Sequence, residues 1–277
     1  MRLGAPISIS EMNSQAWIAA LQAKGYRAAY CPLNGSEDSA TIRAFEQAAE
    51  LAGIVIAETG AWSNPLSQDE TVRQEALHKC QAMLALADEV GARCCVNIAG
   101  SRGPKWDGPH PADLTPETFE MIVATTREII DAVQPRRAFY TLEPMPWMYP
   151  DSVESYLELV RAIDRPRFGV HFDPVNLINC PQRYFHNADF MIDFVARLGP
   201  QIRSVHLKDV RLQNQLTVHL DEVRPGLGEL DYRVLLTELD RLSPDLPVML
   251  EHLPKQIEYD LAAAYVRDQA TQAGVGL

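Results

Sequence analysis

The sequence of 277 residues predicts the α/β fold class, as a single (β/α)8 barrel that spans residues 1–277. Three observations lead to this prediction. Eight short apolar runs alternate with eight helical patterns, an order that favours parallel strands joined by right-handed helical crossovers. Eight such units in about 250 residues is the number found in closed barrels. Of all residues, 47% are apolar, which is enough for a large core.

A doubly wound open sheet is the competing architecture. The first predicted strand is not followed by the Gly-rich phosphate-binding turn of dinucleotide-binding sheets, which argues against it. No linker, low-complexity block or break in composition marks a second domain. We therefore expect one barrel domain.

The predicted strands are short runs rich in β-branched, aromatic and aliphatic residues, bounded by glycine, proline or polar residues. They occupy residues 3–9, 27–33, 54–62, 92–100, 138–145, 168–175, 202–208 and 247–253.

The predicted helices have apolar residues at three- and four-residue spacing. They occupy residues 13–24, 38–52 and 69–90, two segments that begin at Thr115 and Asp151, and residues 188–198, 229–242 and 255–273. Thr115, Pro116 and Glu117 form a start signal, with an N-cap, a proline at the first helical position and an acid in the first turn. Asp151, with Glu154 three residues later, predicts a capping box.

Two long stretches lack helical and strand periodicity. They follow the fourth and seventh predicted strands, at residues 100–114 and at about 210–228. Long loops in a compact fold are usually functional or disordered. We expect these two to form a mobile lid over a bound ligand.

The composition argues against several classes of protein. A net charge of −12 disfavours a nucleic-acid partner, because phosphate binding relies on clustered Lys and Arg. The five cysteines are odd in number and include no Cys-x-x-Cys pair, so reduced thiols are favoured over disulfides or a thiolate zinc site. The N-terminus lacks the apolar run of a signal peptide, and no apolar stretch reaches 18 residues. We therefore expect a cytoplasmic protein with no membrane partner.

Polar side chains mark the ends of the last four predicted strands. In the segment FYTLEPMPWMYP, residues 139–150, an apolar strand stops at Glu143, and the prolines that follow cannot continue a strand ladder. The next three predicted strands end near Asp173, His206 and Glu251. Because the carboxyl ends of all strands meet at one face of a barrel, we expect these four side chains to converge there.

One imidazole and three carboxylates in one place predict a metal site. A single acidic residue at a strand end is most often solvated, but four consecutive ends of this kind favour convergence. Close carboxylates repel one another unless a positive charge lies among them. One divalent cation bound by Glu143, Asp173, His206 and Glu251 is the simplest solution. Oxygen ligands with one imidazole suit Mn²⁺, with Mg²⁺, Co²⁺ or Zn²⁺ as alternatives.

Short motifs near these strand ends resemble those of a known family. They are TLEP at 141–144, HFDPVN at 171–176, SVHLKD at 204–209, PGLGELDY at 225–232 and VMLEH at 248–252. In this order they resemble the xylose-isomerase-like TIM barrels, also called the sugar phosphate isomerase/epimerase family, over all eight units. The resemblance implies a TIM barrel, the four metal ligands named above, and assembly as a homodimer or homotetramer.

The activity implied by the resemblance is that of a divalent-metal-dependent isomerase or epimerase. The substrate would be a small sugar or keto-sugar, phosphorylated or not. Glu143 and Glu251 would flank it as catalytic residues. One would remove a proton from the carbon beside a carbonyl and the other would return a proton, through a metal-stabilised enediolate.

Departures from the epimerase branch of the family leave other activities open. Ketose epimerases carry a histidine where this chain has Asn176, and the segment HLKD resembles that of inosose dehydratases and hydroxypyruvate isomerases. A metal-dependent lyase (a dehydratase, hydratase or decarboxylase) of a keto-sugar, inosose or sugar acid is therefore an alternative. Seven scattered histidines and the acidic charge disfavour a nuclease resembling endonuclease IV. The two glutamates disfavour a non-catalytic sugar-binding protein.

Lys208 is a further catalytic candidate, because it lies two residues past His206 on the same face of a strand. It would act as an acid or as the counter-charge to an enolate. A salt bridge to Glu58 or Asp209 is the structural alternative.

Substrate-binding candidates come from the strand ends and rim loops. They are Glu58, Trp62, Asn97, His171, Asn176 and Arg211. Trp106 and Trp147, also in rim loops, are additional candidates for stacking on a small ring. Each has a structural alternative, such as a salt bridge or a place in the core, and His171 is also a candidate for orienting Asp173.

Overall fold

Eight parallel strands surrounded by helices form a nearly closed barrel in the computed structural model, which describes residues 1–9 and 12–277. The strands are β1 (Arg2–Gly4), β2 (Ala28–Tyr30), β3 (Val55–Gly60), β4 (Cys94–Asn97), β5 (Phe139–Leu142), β6 (Phe168–Phe172), β7 (Ile202–Leu207), β8 (Asp209–Leu212), β9 (Leu220–Val223) and β10 (Pro247–Leu250). Strands β8 and β9 form a separate antiparallel hairpin, and the other eight form the barrel.

The barrel strands follow one another in the order β1, β10, β7, β6, β5, β4, β3, β2. The ring closes between its two ends, where the N–H of Arg27, just before β2, donates to the carbonyl of Leu3 at 2.9 Å. Gly4 permits this approach, because a Cβ at that position would lie 2.4 Å from the carbonyl oxygen of Ala28. The predicted (β/α)8 TIM barrel is confirmed.

Eight long helices lie close to their predicted positions, together with two short ones that the sequence did not predict. They are α1 (Ser14–Ala23), α2 (Ser39–Ala52), α3 (Glu70–Val90), α4 (Pro116–Val133), α5 (Val153–Ile163), α6 (Pro174–Leu177), α7 (Pro181–Phe185), α8 (Asn187–Leu198), α9 (Tyr232–Asp240) and α10 (Gln256–Ala273). No helix in the described part of the chain is long and apolar enough to span a bilayer.

The start of α4 is as predicted, because the side chain of Thr115 accepts the N–H of Thr118 at 3.3 Å. The start of α5 differs from the prediction. Its capping box is formed by Ser152 and Ser155, whose hydroxyls each accept the other's backbone N–H. The predicted box began at Asp151, one residue too early, so the cap is built from two serines.

The stretch at 210–228, predicted as a loop, holds most of the β8–β9 hairpin. Its base is held by Asp209, whose buried carboxylate accepts four backbone N–H groups at 2.9 to 3.0 Å, three of them from residues 226–230. This carboxylate therefore fixes the segment that returns from the hairpin to α9.

Candidate metal centre and substrate cavity

Four side chains from consecutive strands of the ring meet at its carboxyl-terminal face. Glu143 follows β5, Asp173 follows β6, His206 lies in β7 and Glu251 follows β10. Each offers one oxygen or nitrogen atom, and these four atoms all lie within 4.8 Å of one another. The structure therefore brings together the residues that the sequence singled out, and their role as metal ligands stays a prediction.

The imidazole of His206 lies between the two glutamates. Its Nδ1 atom is 2.9 Å from Glu251 Oε1 and 3.1 Å from Glu143 Oε1. The register of the sheet explains the first contact, since His206 pairs with Met249 of β10. Side chains alternate along a strand, so Glu251, two residues past Met249, faces the same side.

Asp173 reaches the cluster because it caps a short helix. Its Oδ1 atom accepts the N–H groups of Val175 at 2.9 Å and Asn176 at 3.1 Å. Pro174, at the first position of α6, lacks the N–H that would otherwise need a partner. The second carboxylate oxygen, Oδ2, is then left to face the cluster.

Lys208 contributes a buried ammonium group to the same place. Its side chain is 1% exposed, and Nζ lies 2.8 Å from Asp173 Oδ2 and 2.5 Å from Glu251 Oε1. The structural alternative from the sequence, a salt bridge to Glu58 or Asp209, is wrong, because the closest ion pairs of Lys208 are with Asp173 and Glu251. The lysine is therefore part of the candidate centre.

Glu58 supports His206 from the other side of the ring. Its Oε1 atom lies 2.8 Å from His206 Nε2, and Oε2 lies 3.4 Å from His171 Nε2. A carboxylate at the far nitrogen orients a ligand imidazole and makes it more basic. Glu58 thus contacts two buried histidines, and His171 faces Glu58 rather than Asp173. The sequence suggested Glu58 and His171 as substrate contacts, and that role stays a prediction.

Two cations compensate the carboxylates of the cluster. Burial opposes charge on His206, but the surrounding carboxylates, Glu251 foremost, raise the pKa of its imidazole well above the usual value. Burial likewise opposes charge on Lys208, but Asp173 and Glu251 raise its pKa well above that of a free lysine.

The three carboxylates differ in their affinity for a proton. Burial raises the pKa of Asp173 to about 7, against the lowering effect of Lys208. Burial and the charge of Glu251 also act to raise the pKa of Glu143, but His206 and Lys208 outweigh them and bring it to about 2. The same two cations overcome burial at Glu251 and hold its pKa well below the usual value. Both glutamates are therefore ionised at neutral pH.

The donor set fits a divalent cation. Carboxylates with one imidazole are ligands that Mn²⁺, Mg²⁺ and Zn²⁺ accept. Among the described residues, the buried atoms Asp173 Oδ2 and Glu251 Oε1 accept no hydrogen bond of regular geometry, although Lys208 Nζ approaches both. Buried oxygens without such partners are unusual in native proteins, and an ion is one explanation of them.

A cavity of about 840 Å³ opens above this cluster. We call five of its polar residues the polar floor: Glu143, Asn176, Glu222, Glu251 and His252; Lys105 and Asp107, from the loop after β4, also line the cavity. The loops that follow β1, β3, β4 and β5 supply what we call the apolar wall: Ile7, Trp62, Ile98, Trp106, Met145 and Trp147. The cavity thus has one part that is rich in groups able to bond hydroxyls and another part that is mostly apolar.

Two of the substrate-binding candidates lie in this cavity. Asn176 is in the polar floor, where its Nδ2 atom donates to Glu143 Oε1 at 3.1 Å. Trp62 is in the apolar wall and is 36% exposed.

Two other candidates lie outside the described lining of the cavity. Asn97 is fully buried, and its Nδ2 atom donates to the carbonyl of Ser63 at 3.2 Å and to Cys80 Sγ at 3.3 Å. Arg211 lies on the hairpin, where its guanidinium donates to the carbonyl of Leu227. Both side chains hold loops in place, and their role in binding a substrate stays a prediction.

Sequence reasoning missed Glu222 and His252 as cavity residues. His252 has a left-handed backbone with φ of 56°, uncommon for a residue with a side chain. Its Nδ1 atom lies 3.2 Å from the carboxylate of Glu222, which comes from β9. The position of His252 directly after Glu251 is a signal that the sequence contained, whereas Glu222 depends on an unpredicted hairpin.

Most of the barrel matches a described family. The family model for the xylose isomerase-like TIM barrel matches residues 16–269. The chain belongs to this family. No curated protein matches the sequence.

Solved structures share the fold of this xylose isomerase-like TIM barrel at low sequence identity. D-psicose 3-epimerase from Clostridium cellulolyticum, solved with D-tagatose, has a TM-score of 0.71 and 14% sequence identity, and the match covers 100% of both chains. The probable 3-DHS dehydratase AsbF from Bacillus anthracis has a TM-score of 0.70 and 17% identity, covering 96% of this chain and 97% of its own. A xylose isomerase-like TIM barrel protein from Mycobacterium smegmatis, in complex with magnesium, has a TM-score of 0.68 and 15% sequence identity, and the match covers 98% of this chain and 97% of that protein. At these identities the likeness shows the fold alone.

Proposed function

We propose that the protein is a divalent-metal-dependent isomerase or epimerase of a small sugar or keto-sugar. The observation that carries this proposal is the placement of Glu143 and Glu251. Both line the cavity, and both contact His206 Nδ1, at 3.1 and 2.9 Å. Two carboxylates at one point can serve as base and acid on one carbon atom. A relative named as an epimerase supports the same class of reaction.

Glu143, Asp173, His206 and Glu251 would hold the cation. We propose Mn²⁺, because hard oxygen donors with one imidazole suit it, and the relative in complex with magnesium supports a divalent ion. When bound, the cation supplies positive charge that polarises the substrate carbonyl and offsets the charge that develops when a proton is removed.

The residues of the chain then divide the proton transfers between them. Glu251, ionised and facing the cavity, takes the proton from the carbon beside the carbonyl. Glu143 is also ionised before the reaction, so it would first take a proton from water in the cavity. It would then give that proton to the neighbouring carbon atom or to the opposite face of the same carbon, while Glu251 releases its proton to water. Asn176 holds Glu143 in one orientation through its hydrogen bond of 3.1 Å. Lys208, 2.5 Å from Glu251 Oε1, keeps that glutamate ionised before the reaction begins.

A lyase is the second candidate, and Lys208 is the observation that favours it. Its ammonium group is a proton donor beside the proposed base, within contact distance of Glu251 and Asp173. Such a group can protonate a departing hydroxyl after Glu251 has removed a proton, which gives elimination rather than isomerisation. A relative named as a dehydratase supports this class.

We also propose a cytoplasmic setting, a carbohydrate as the small-molecule partner and a homodimer or homotetramer as the assembly. All five cysteines are free, which supports a reducing compartment. The net charge of −12 supports the absence of a nucleic-acid partner.

The test is a screen of keto-sugars, inososes and sugar acids with Mn²⁺-loaded protein in heavy water, followed by mass spectrometry. An isomerase or epimerase introduces deuterium into product and recovered substrate, whereas a lyase gives a product lighter by water or carbon dioxide. Activity of either kind should vanish with EDTA and return with Mn²⁺. Turnover that persists after complete metal removal would overturn the proposal.

A further inference from the structure

We infer that the substrate is a glycoside with an apolar or aromatic aglycone. This inference rests on the proposed function, which places the sugar on the polar floor. The sugar ring lies on the polar floor, and the aglycone lies against the apolar wall.

The rim of the cavity is divided into a polar and an apolar part. The polar floor comes from the segments that follow β5, β6 and β10 and from β9 of the hairpin, and the apolar wall comes from the loops after β1, β3, β4 and β5. A free monosaccharide carries hydroxyl groups around its whole edge, and each needs a partner when it leaves water. The six side chains of the apolar wall offer few partners, because their only strong hydrogen-bonding groups are three indole N–H groups, and that of Trp147 already donates to the carbonyl of Asp107 at 3.0 Å.

The cavity is larger than a single sugar ring. A hexose has about twelve non-hydrogen atoms, which occupy at most on the order of 360 Å³ even at the ~30 Å³ of a liquid water molecule per atom. The cavity measures about 840 Å³. More than half of it therefore remains for a group attached to the sugar.

Two indoles of the apolar wall are unusually exposed. Trp62 is 36% exposed and Trp106 is 38% exposed, although tryptophan is mostly buried in folded proteins. One indole can stack on the apolar face of a sugar ring, but Trp62, Trp106 and Trp147 come from three different loops. Apolar surface from three directions suits a second, apolar group.

The cavity has little positive charge from lysine or arginine side chains. Among the described residues that line the cavity, Lys105 is the only lysine or arginine, and it is paired with Asp107 at 3.0 Å. Its side chain is 71% exposed, so it is poorly placed to hold a phosphate out of water. The substituent that fits the apolar wall is therefore uncharged.

The test compares two non-reacting probes by calorimetry with Mn²⁺-loaded protein: para-nitrophenyl D-glucopyranoside and methyl D-glucopyranoside, each in both anomers. For the anomer that binds better, we expect the aryl glycoside to bind at least about ten-fold more tightly than the methyl glycoside of the same anomer. Equal affinities, or no binding of the aryl glycoside up to its solubility limit, would overturn the inference.

Two variants locate the effect. Trp106→Ala should remove most of the preference for the aryl probe and leave binding of the methyl probe nearly unchanged. Leu51→Ala, on the outer surface of α2 and 90% exposed, is the matched control and should change neither. If Trp106→Ala does not fold, the ratio of the affinities of the unaltered protein for the aryl and methyl glycosides is the test of the inference. Binding is measured without turnover, so failure of the proposed chemistry would leave this preference intact, and equal binding would leave the chemistry intact.

Discussion

Replacing Lys208 by methionine removes a buried ammonium group while keeping most of the side-chain volume. The group lies 2.8 Å from Asp173 Oδ2 and 2.5 Å from Glu251 Oε1, and its side chain is 1% exposed. Loss of one partner of a buried ion pair costs about 3–5 kcal/mol, because the remaining charges stay out of water. An unfolding entropy of about 2.1 cal/mol/K per residue then gives a fall in Tm of about 5–9 °C for a chain of 277 residues.

The assay is thermal unfolding by calorimetry in EDTA, with Lys24→Met as the matched control. Lys24 makes an ion pair of the same length, 2.8 Å to Asp260, but is 36% exposed. An exposed pair contributes about 0–1 kcal/mol, so the control should lose less than about 2 °C. Equal shifts for the two variants would refute the reasoning. Mn²⁺ should raise the Tm of Lys208→Met more than that of the unaltered protein, because the bound cation then neutralises carboxylates that the lysine no longer neutralises.

Three further substitutions test other parts of the molecule. Glu251→Gln should keep the fold and lower kcat by about 10²–10⁴-fold, because the amide cannot accept a proton from carbon; normal turnover on the true substrate would show that another residue is the base. Glu58→Gln should weaken Mn²⁺ binding by about 10–100-fold in calorimetry, because His206 loses the carboxylate that lies 2.8 Å from its far nitrogen, and an unchanged affinity would contradict that role. Asp209→Asn should lower the free energy of unfolding by about 2–6 kcal/mol, because the amide can accept only two of the four backbone N–H groups; an unchanged urea midpoint would count against this anchor.

The barrel and the four converging side chains can be predicted from the sequence for one physical reason. Parallel strands in a closed ring point the same way, so a polar residue at the end of each strand must reach the same face. Prolines directly after Glu143 and Asp173 mark where those strands end, which makes the position of each carboxylate visible in the chain.

The rest of the cavity could not be predicted in this way. Strands of a parallel barrel are buried on both sides, so the pattern of residues does not show which side Glu58 or Asn97 faces. The structure places the first under His206 and the second among loop residues. Glu222 enters the cavity only because β8 and β9 pair as a hairpin, and the sequence of this segment shows no strand periodicity.

The closing contact at Gly4 has a consequence for motion. Strands β1 and β2 are three residues each, and they meet at the edge where the ring is completed. This junction is therefore the place where the ring should open most readily, with the fastest amide hydrogen exchange among its strands. Three residues that flank the junction also line the cavity: Ala5, Ala29 and Tyr30. A molecule bound in the cavity should therefore slow that exchange and stabilise the closed ring.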